Sequence, residues 1–149
     1  MTDAYPLLIA LALGALIGLE RKLNDHNAGI HTHALVSLGA ALFIVLGVKI
    51  SASSEAARVA SQVVMAVGFL CGSVIMRDGV QVRGLNTAVT IWCSCAIGAL
   101  AGAGLYALAG MGAIIVTFAN FILHLVEHSS GWFSKPTPQP GDKTDLPGK

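Results

Sequence analysis

The sequence predicts an all-α fold: a polytopic transmembrane bundle of about five helices, with the N-terminus outside the cytoplasm and the C-terminus inside it. Hydrophobic residues make up 54% of the chain, which also has 17 glycines. Charged residues make up 11%, against about 25% in soluble domains. The apolar residues collect in runs of the length that crosses a bilayer. This composition excludes a soluble enzyme, a disordered chain and a nucleic-acid-binding protein.

Apolar runs alternate with short polar segments in the first half of the chain. The runs cover residues 5–19, 34–50 and 59–76. Polar loops are predicted at residues 24–32 and 77–86, and Ser53 or Ser54 followed by Glu55 is typical of a helix start. The three cysteines all fall within apolar runs, which predicts packing residues rather than disulfides.

The second half contains 40 residues without a charge, from Thr87 to Val126. A helix of that length would be about 60 Å long, twice the hydrocarbon core. The stretch therefore predicts two crossings, with a turn in the glycine-rich segment 102–112. Four of the five prolines follow in residues 128–149, which predicts a disordered tail after a membrane domain at 1–127.

The distribution of basic residues favours five crossings over four. Five crossings from an external N-terminus leave only Lys49 and Arg58 outside and place the other seven of the nine basic residues in the cytoplasm. Four crossings would move the basic tail outside. The positive-inside rule therefore predicts a cytoplasmic C-terminus.

Three pairs of glycines stand four residues apart, as in helix-packing motifs. They are Gly14 and Gly18, Gly68 and Gly72, and Gly98 and Gly102. Small residues one turn apart allow close helix contact in lipid. Both packing within the chain and contact in a homo-oligomer remain open. The first two pairs are each followed by a basic loop and a Gly-x-x-Thr sequence, which indicates an internal repeat.

The predicted cytoplasmic helix ends carry polar residues. Thr32 and Thr87 stand where a side-chain oxygen can cap the second and fourth helices, and Arg21 lies near an apolar helix end. Helix N-termini and arginines together attract anions, although snorkelling arginines beside capped helices explain the same pattern. Glu20 is expected to pair with Arg77 or Arg83, either as a functional group or as a structural ion pair.

On the last helix, polar residues form one stripe: Thr117, Asn120, His124 and Glu127. The stripe predicts either a hydrogen-bonded seam between helices or a proton path. A histidine cluster beside Asp25, formed by His26, His31 and His33, does not match the spacing of a known metal site. No metal, cofactor or catalytic group is therefore predicted.

Several segments resemble the MgtC/SapB family. They are Gly14-Ala-Leu-Ile-Gly-Leu-Glu-Arg21, Ala28-Gly-Ile-His-Thr-His-Ala-Leu-Val-Ser-Leu-Gly-Ala40, Gly68-Phe-Leu70, Arg83-Gly-Leu-Asn-Thr-Ala88, Trp92 and Ala96-Ile-Gly98. The resemblance covers residues 7–109. It implies an inner-membrane protein of about five helices. The family's namesake is associated with virulence, growth at low magnesium and survival in macrophages, and is similar to regulators that restrain the proton-driven ATP synthase.

The resemblance also indicates which positions matter. The matched positions are Gly18, Glu20, Arg21, Gly29, Thr32, His33, Gly68, Gly84, Asn86, Thr87 and Ala88. Two positions depart from the family's pattern. His31 stands where the family usually has Arg, which weakens the prediction of an anion site at that loop. Cys71-Gly72-Ser73 replaces Gly-Ala-Gly, so helix packing there is expected to differ. Longer relatives carry a soluble C-terminal domain.

These observations predict a non-enzymatic regulator of the bacterial inner membrane. It would bind a membrane complex such as ATP synthase and support growth at low magnesium and intracellular survival. The functional surface is predicted at Glu20, Arg21, Thr32, His33, Asn86 and Thr87. A small ion or proton transporter is the alternative, and the other expected partners are the lipid bilayer and a second copy of the chain.

Overall fold

The structure, a computed structural model, describes residues 4–24, 28–50, 53–79 and 81–130. It contains five helices: α1 (Ala4–Leu23), α2 (Ile30–Ile50), α3 (Ser53–Ser73), α4 (Leu85–Gly102) and α5 (Tyr106–Ser130). The predicted all-α bundle is confirmed. The predicted tail, nearly all of which lies at residues 131–149, and the Asp25–His26 part of the histidine cluster fall outside the described residues.

Four of the helices are long and apolar enough to cross a membrane: α1, α2, α4 and the Tyr106–Val126 part of α5. The apolar part of α3 is shorter, at Ala57–Ser73. The complete helix α3 has 21 residues, which corresponds to about 31 Å. Helix α3 therefore has the length of a membrane span, with its polar first turn at one end.

The segment between α3 and α4 differs from the predicted polar loop. Helix α3 ends at Ser73, and residues Met76–Asp78 (β1) pair with Gln81–Arg83 (β2) in an antiparallel hairpin. Gly79 occupies the turn with φ 61°, a conformation that glycine adopts without strain. In strands of three residues, the alternation of apolar and polar side chains is too short to be recognised in the sequence, so this hairpin was not predicted.

Helix α2 occupies the centre of the bundle, between α1 and α4. A β carbon on Gly14 would lie 2.6 Å from the His33 carbonyl oxygen, and one on Gly18 would lie 2.6 Å from the Ile30 Cα. On the other side of α2, Gly98 approaches the backbone of Ser37 in the same way. Close backbone approach at these glycines brings three helices together without large side chains between them.

The contacts between α2 and α4 show that these helices run parallel. His33 contacts Ser94, 61 residues later in the chain. Ser37 contacts Gly98, and Ala41 contacts Gly102, which are pairs with the same separation. The residue level with Ile30, where α2 begins, is therefore Ile91. The first two turns of α4 thus project about 9 Å past the start of α2.

Helices α3 and α5 pack at the periphery. The buried side of α3 carries Val63, Val67 and Cys71. Gly68 and Gly72 lie on its exposed side, where an added β carbon would meet no atom within 4 Å. The close packing predicted for this glycine pair is absent within the described part of the chain, because the valine face of α3 packs against α2 and α4 instead.

Candidate functional site

A layer of buried polar side chains joins α1, α2 and α4. Arg21 is 1% exposed, and His33 and Ser94 are fully buried. The His33 Nδ1 and Ser94 Oγ atoms are 2.9 Å apart, and Ser94 Oγ donates to the Thr90 carbonyl oxygen at 3.0 Å. Because a serine hydroxyl has a single proton, Nδ1 must donate to Ser94. His33 therefore fixes α2 to α4 through a defined imidazole tautomer.

The other side of the His33 ring faces α1. The charge of Arg21 acts on this ring, and the Ala28 backbone adds a weaker polar contact. The Nε2 atom makes no hydrogen bond of normal geometry with the residues that the structure describes. The start of α2 and the middle of α4 thus meet at this imidazole, and the charge of Arg21 in the last turn of α1 acts on it.

Hydrogen bonds along α4 connect this layer to the projecting end of that helix. Thr90 Oγ1 donates to the Asn86 carbonyl oxygen at 2.9 Å, and the Thr90 carbonyl accepts from Ser94. The Asn86 side chain itself is exposed. The exposed Asn86 side chain therefore lies on a helical turn whose backbone is connected through Thr90 and Ser94 to the buried His33 ring.

Ser37 adds a second bond between helices, one turn further along α2. Its hydroxyl donates to the Ala10 carbonyl oxygen of α1 at 2.6 Å. Ser37, Thr90 and Ser94 were not among the predicted site residues. Their spacing could have indicated a shared polar helix face, because residues four apart lie on the same side of a helix. Ser37 follows His33 by four residues, and Asn86, Thr90 and Ser94 are also four residues apart.

The six residues of the predicted functional surface do not share one surface. Thr32 and Asn86 are exposed, and Glu20 is half-buried. Arg21, His33 and Thr87 are buried. These three lie beneath the exposed residues, within the polar layer or beside it.

The predicted helix caps are also not formed. Helix α4 begins after Gly84, which has φ 85° and no side-chain cap. Helix α2 begins at Ile30, so Thr32 and Thr87 are both the third residue of their helices. A β carbon on Gly84 would collide with the Val74 carbonyl oxygen. The close approach of the hairpin to α3 therefore requires glycine at this helix start.

Glu20 has a different partner from the one expected. Its Oε1 atom accepts a hydrogen bond from Asn24 Nδ2 at 2.7 Å, one turn along the chain. Arg77 instead donates from Nε to the Gly79 carbonyl oxygen at 3.1 Å within the hairpin. Among the described residues, Glu20 makes no ion pair with Arg77 or Arg83.

The polar stripe of α5 lies on the side of that helix that packs against the bundle. Asn120 is 9% exposed, and Thr117 and His124 are half-buried. Thr117 Oγ1 and Asn120 Nδ2 have no hydrogen-bond partner in the part of the chain that the structure describes. The side chain of Glu127 falls outside that part. These atoms of Thr117 and Asn120 therefore face protein without forming the predicted hydrogen bonds with the described residues.

The cysteines take packing positions. All three are free, and Cys71 and Cys95 are buried. Cys71 Sγ donates to the Ala88 carbonyl oxygen at 3.2 Å, which attaches α3 to α4. Within the described ranges, no group of three His, Cys, Asp or Glu side chains is placed to hold a metal ion.

Comparison with known proteins agrees with the resemblance in sequence. The MgtC family profile matches residues 7–129. Protein MgtC of Salmonella typhimurium is 50% identical over 117 residues, covering 78% of this chain and 50% of that protein. Protein MgtC of Brucella abortus is 45% identical over 114 residues, covering 76% and 48%. A Synechocystis protein described as uncharacterized is 44% identical over 117 residues, covering 78% and 50%.

The chain thus spans about half the length of these relatives. No solved structure matches it. The family match covers most of the residues that form the five helices, including the buried polar layer and Asn86. The chain is a multi-pass membrane protein that belongs to the MgtC family.

Proposed function

We propose that this protein is a non-enzymatic regulator of the bacterial inner membrane. It binds another membrane complex, such as ATP synthase, and supports growth at low magnesium and survival inside host cells. Membership of the MgtC family supports this class of function. The observation that carries the proposal is the position of Asn86, which is exposed on the projecting end of α4.

The contacts of α4 suit this end of the helix to partner recognition. Asn86 both donates and accepts hydrogen bonds through its amide, and no hydrogen bond within the described chain engages that amide. Its carbonyl accepts from Thr90, which keeps the turn helical. The buried residues Arg21, His33 and Thr87 hold the exposed residues in place, and Thr32 extends the polar area at the start of α2.

The experiment separates binding from folding by replacing Asn86 with Thr. A β-branched residue is tolerated in the first turn of a helix, so expression and melting temperature in detergent should stay nearly unchanged. Growth at low magnesium of a bacterium that carries this protein as its sole copy should be impaired. The matched control is Val82→Thr, an exposed position on the adjacent hairpin, which should leave growth unchanged. Full growth with Asn86→Thr would contradict the proposal.

A second candidate function is transport of a small ion or proton. It rests on the buried, unbonded Thr117 and Asn120 atoms of α5, because polar groups at membrane depth often line pathways. Purified protein in sealed vesicles should then conduct an ion, and His124→Leu should abolish that flux. Absence of flux across a panel of ions and protons would leave the regulator as the better account.

A further inference from the structure

Among the buried side-chain polar atoms that lack a hydrogen-bond partner within the described residues are Glu20 Oε2 on α1 and Thr117 Oγ1 and Asn120 Nδ2 on α5. Buried polar atoms in proteins are nearly always hydrogen-bonded, and at membrane depth no bulk water is available to compensate. A group outside the described residues is therefore expected to contact these atoms.

The register between α1 and α5 places the three atoms at one depth. Tyr5 and Tyr106, in the first turns of the two helices, meet edge to face with ring centroids 5.4 Å apart. Glu20 lies fifteen residues after Tyr5, and the residue fifteen after Tyr106 is Phe121. Because the helices rise equally per residue, Thr117 and Asn120 lie within about one turn of the level of Glu20.

Helical periodicity places them on facing sides. Ala113 belongs to an apolar cluster that joins α1, α2, α4 and α5, and Leu13 packs against this cluster. Glu20 follows Leu13 by seven residues, and Asn120 follows Ala113 by seven, so each lies two turns further on the same stripe. Thr117 follows Ala113 by four. The interface that is apolar at Leu13 therefore becomes polar where it reaches Glu20.

The chemistry of this set points to a cation. Glu20 supplies a carboxyl group, and the hydrogen-bond partner that the structure gives it is the neutral amide of Asn24. A carboxylate oxygen that is buried without a hydrogen bond is stabilised by a nearby positive charge. Thr117 offers a hydroxyl oxygen, and a half-turn of the Asn120 amide exchanges its nitrogen for an oxygen in the same volume. One carboxylate and two neutral oxygens suit a small monovalent cation better than Mg²⁺, which needs near-octahedral oxygen coordination.

We propose that Glu20, Thr117 and Asn120 form a site for a small, hard monovalent cation that binds between α1 and α5 and stabilises their contact. The site lies inside the bundle, away from Asn86, and does not depend on the proposed function. Na⁺ is the probe that represents this ligand class.

The test measures melting of the purified full chain in detergent, in NaCl and in choline chloride at equal ionic strength. At about ten times the dissociation constant, Na⁺ should raise the melting temperature by about 3–6 °C. Thr117→Val and Asn120→Leu, which keep the size of the side chain, should abolish the difference between the salts. Glu20→Gln should abolish it too.

Thr32→Val is the matched control, because it removes an exposed hydroxyl elsewhere and should keep the Na⁺ response. Equal melting temperatures in the two salts would overturn the proposal. So would a Na⁺ response that persists in Thr117→Val and Asn120→Leu. If Glu20→Gln does not fold, these two neutral variants still decide between the outcomes.

Discussion

Substitution of glycine by alanine at two positions tests the packing of α1 and α3 directly. At Gly18, the added β carbon would lie 2.6 Å from Ile30 Cα and 2.9 Å from the Gly29 carbonyl oxygen. Both are backbone atoms at the start of α2, so the methyl group is accommodated only if α1 and α2 move apart. Overpacking of this kind costs about 1–3 kcal/mol.

Gly68 provides the matched control, because the same methyl group would meet nothing within 4 Å there. Alanine in place of a helical glycine contributes about 0.5–1 kcal/mol through backbone entropy alone. Gly68→Ala should therefore raise the melting temperature slightly. Gly18→Ala gains the same stability from backbone entropy but also loses stability through the steric clash with the start of α2. The difference between the two variants should thus be about 1–3 kcal/mol in stability, or about 2–12 °C.

The assay is thermal unfolding of the two variants in the same detergent, followed by circular dichroism. Equal shifts for Gly18→Ala and Gly68→Ala would refute the close approach of α1 to α2. A drop in stability or a loss of dimers on Gly68→Ala would show instead that the exposed face of α3 is packed against a second copy of the chain.

Further predictions concern the polar layer and the topology. Ser94→Ala removes the hydrogen-bond partner of the His33 ring and should lower the free energy of unfolding by about 1–3 kcal/mol. The control Ser61→Ala, on the exposed side of α3, should change it by less than about 0.5 kcal/mol. Chemical denaturation measures both variants, and equal effects would argue against the His33–Ser94 bond. Single cysteines introduced at positions 25 and 143 should react with an impermeant reagent from the cytoplasmic side, and one at position 53 from the opposite side. Labelling of positions 143 and 53 from the same side would contradict five crossings.

Much of the fold follows from the distribution of charge in the sequence. The absence of charged residues from Thr87 to Val126 predicts two helices, and the turn at 103–105 lies within the predicted glycine-rich segment. The helix start near Ser53 is confirmed. These features could be predicted because membrane helices depend on local hydrophobicity and length.

The parts that could not be predicted depend on three-dimensional neighbours. Gly68 and Gly72 have the same four-residue spacing as Gly14 and Gly18, but of these two pairs only Gly14 and Gly18 face α2. The sequence indicates that two small residues lie on the same face of a helix, but it does not indicate which other helix packs against that face. For the same reason, Glu20 was expected to pair with an arginine, whereas Asn24 is one turn away and already within reach.

The candidate site was predicted in composition more than in arrangement. Apart from Gly68 on α3, the matched positions lie near the end of α1 and the starts of α2 and α4. The register between α2 and α4 leaves Asn86 exposed and His33 buried. This register depends on contacts between residues that are 61 positions apart in the chain. Polar side chains four residues apart on α4 were the available signal for the buried layer.

The most direct test of the proposed role is photocrosslinking from the projecting end of α4 in native membranes. A photoreactive residue at Leu85, which is 58% exposed, stands beside Asn86 without replacing it. In the otherwise unchanged chain it should form a covalent adduct with a membrane complex, with ATP synthase subunits expected in the product. The adduct should be strongly reduced when Asn86→Thr is added. An adduct of equal yield in both backgrounds, or one formed only from exposed Phe118 on α5, would contradict recognition through Asn86.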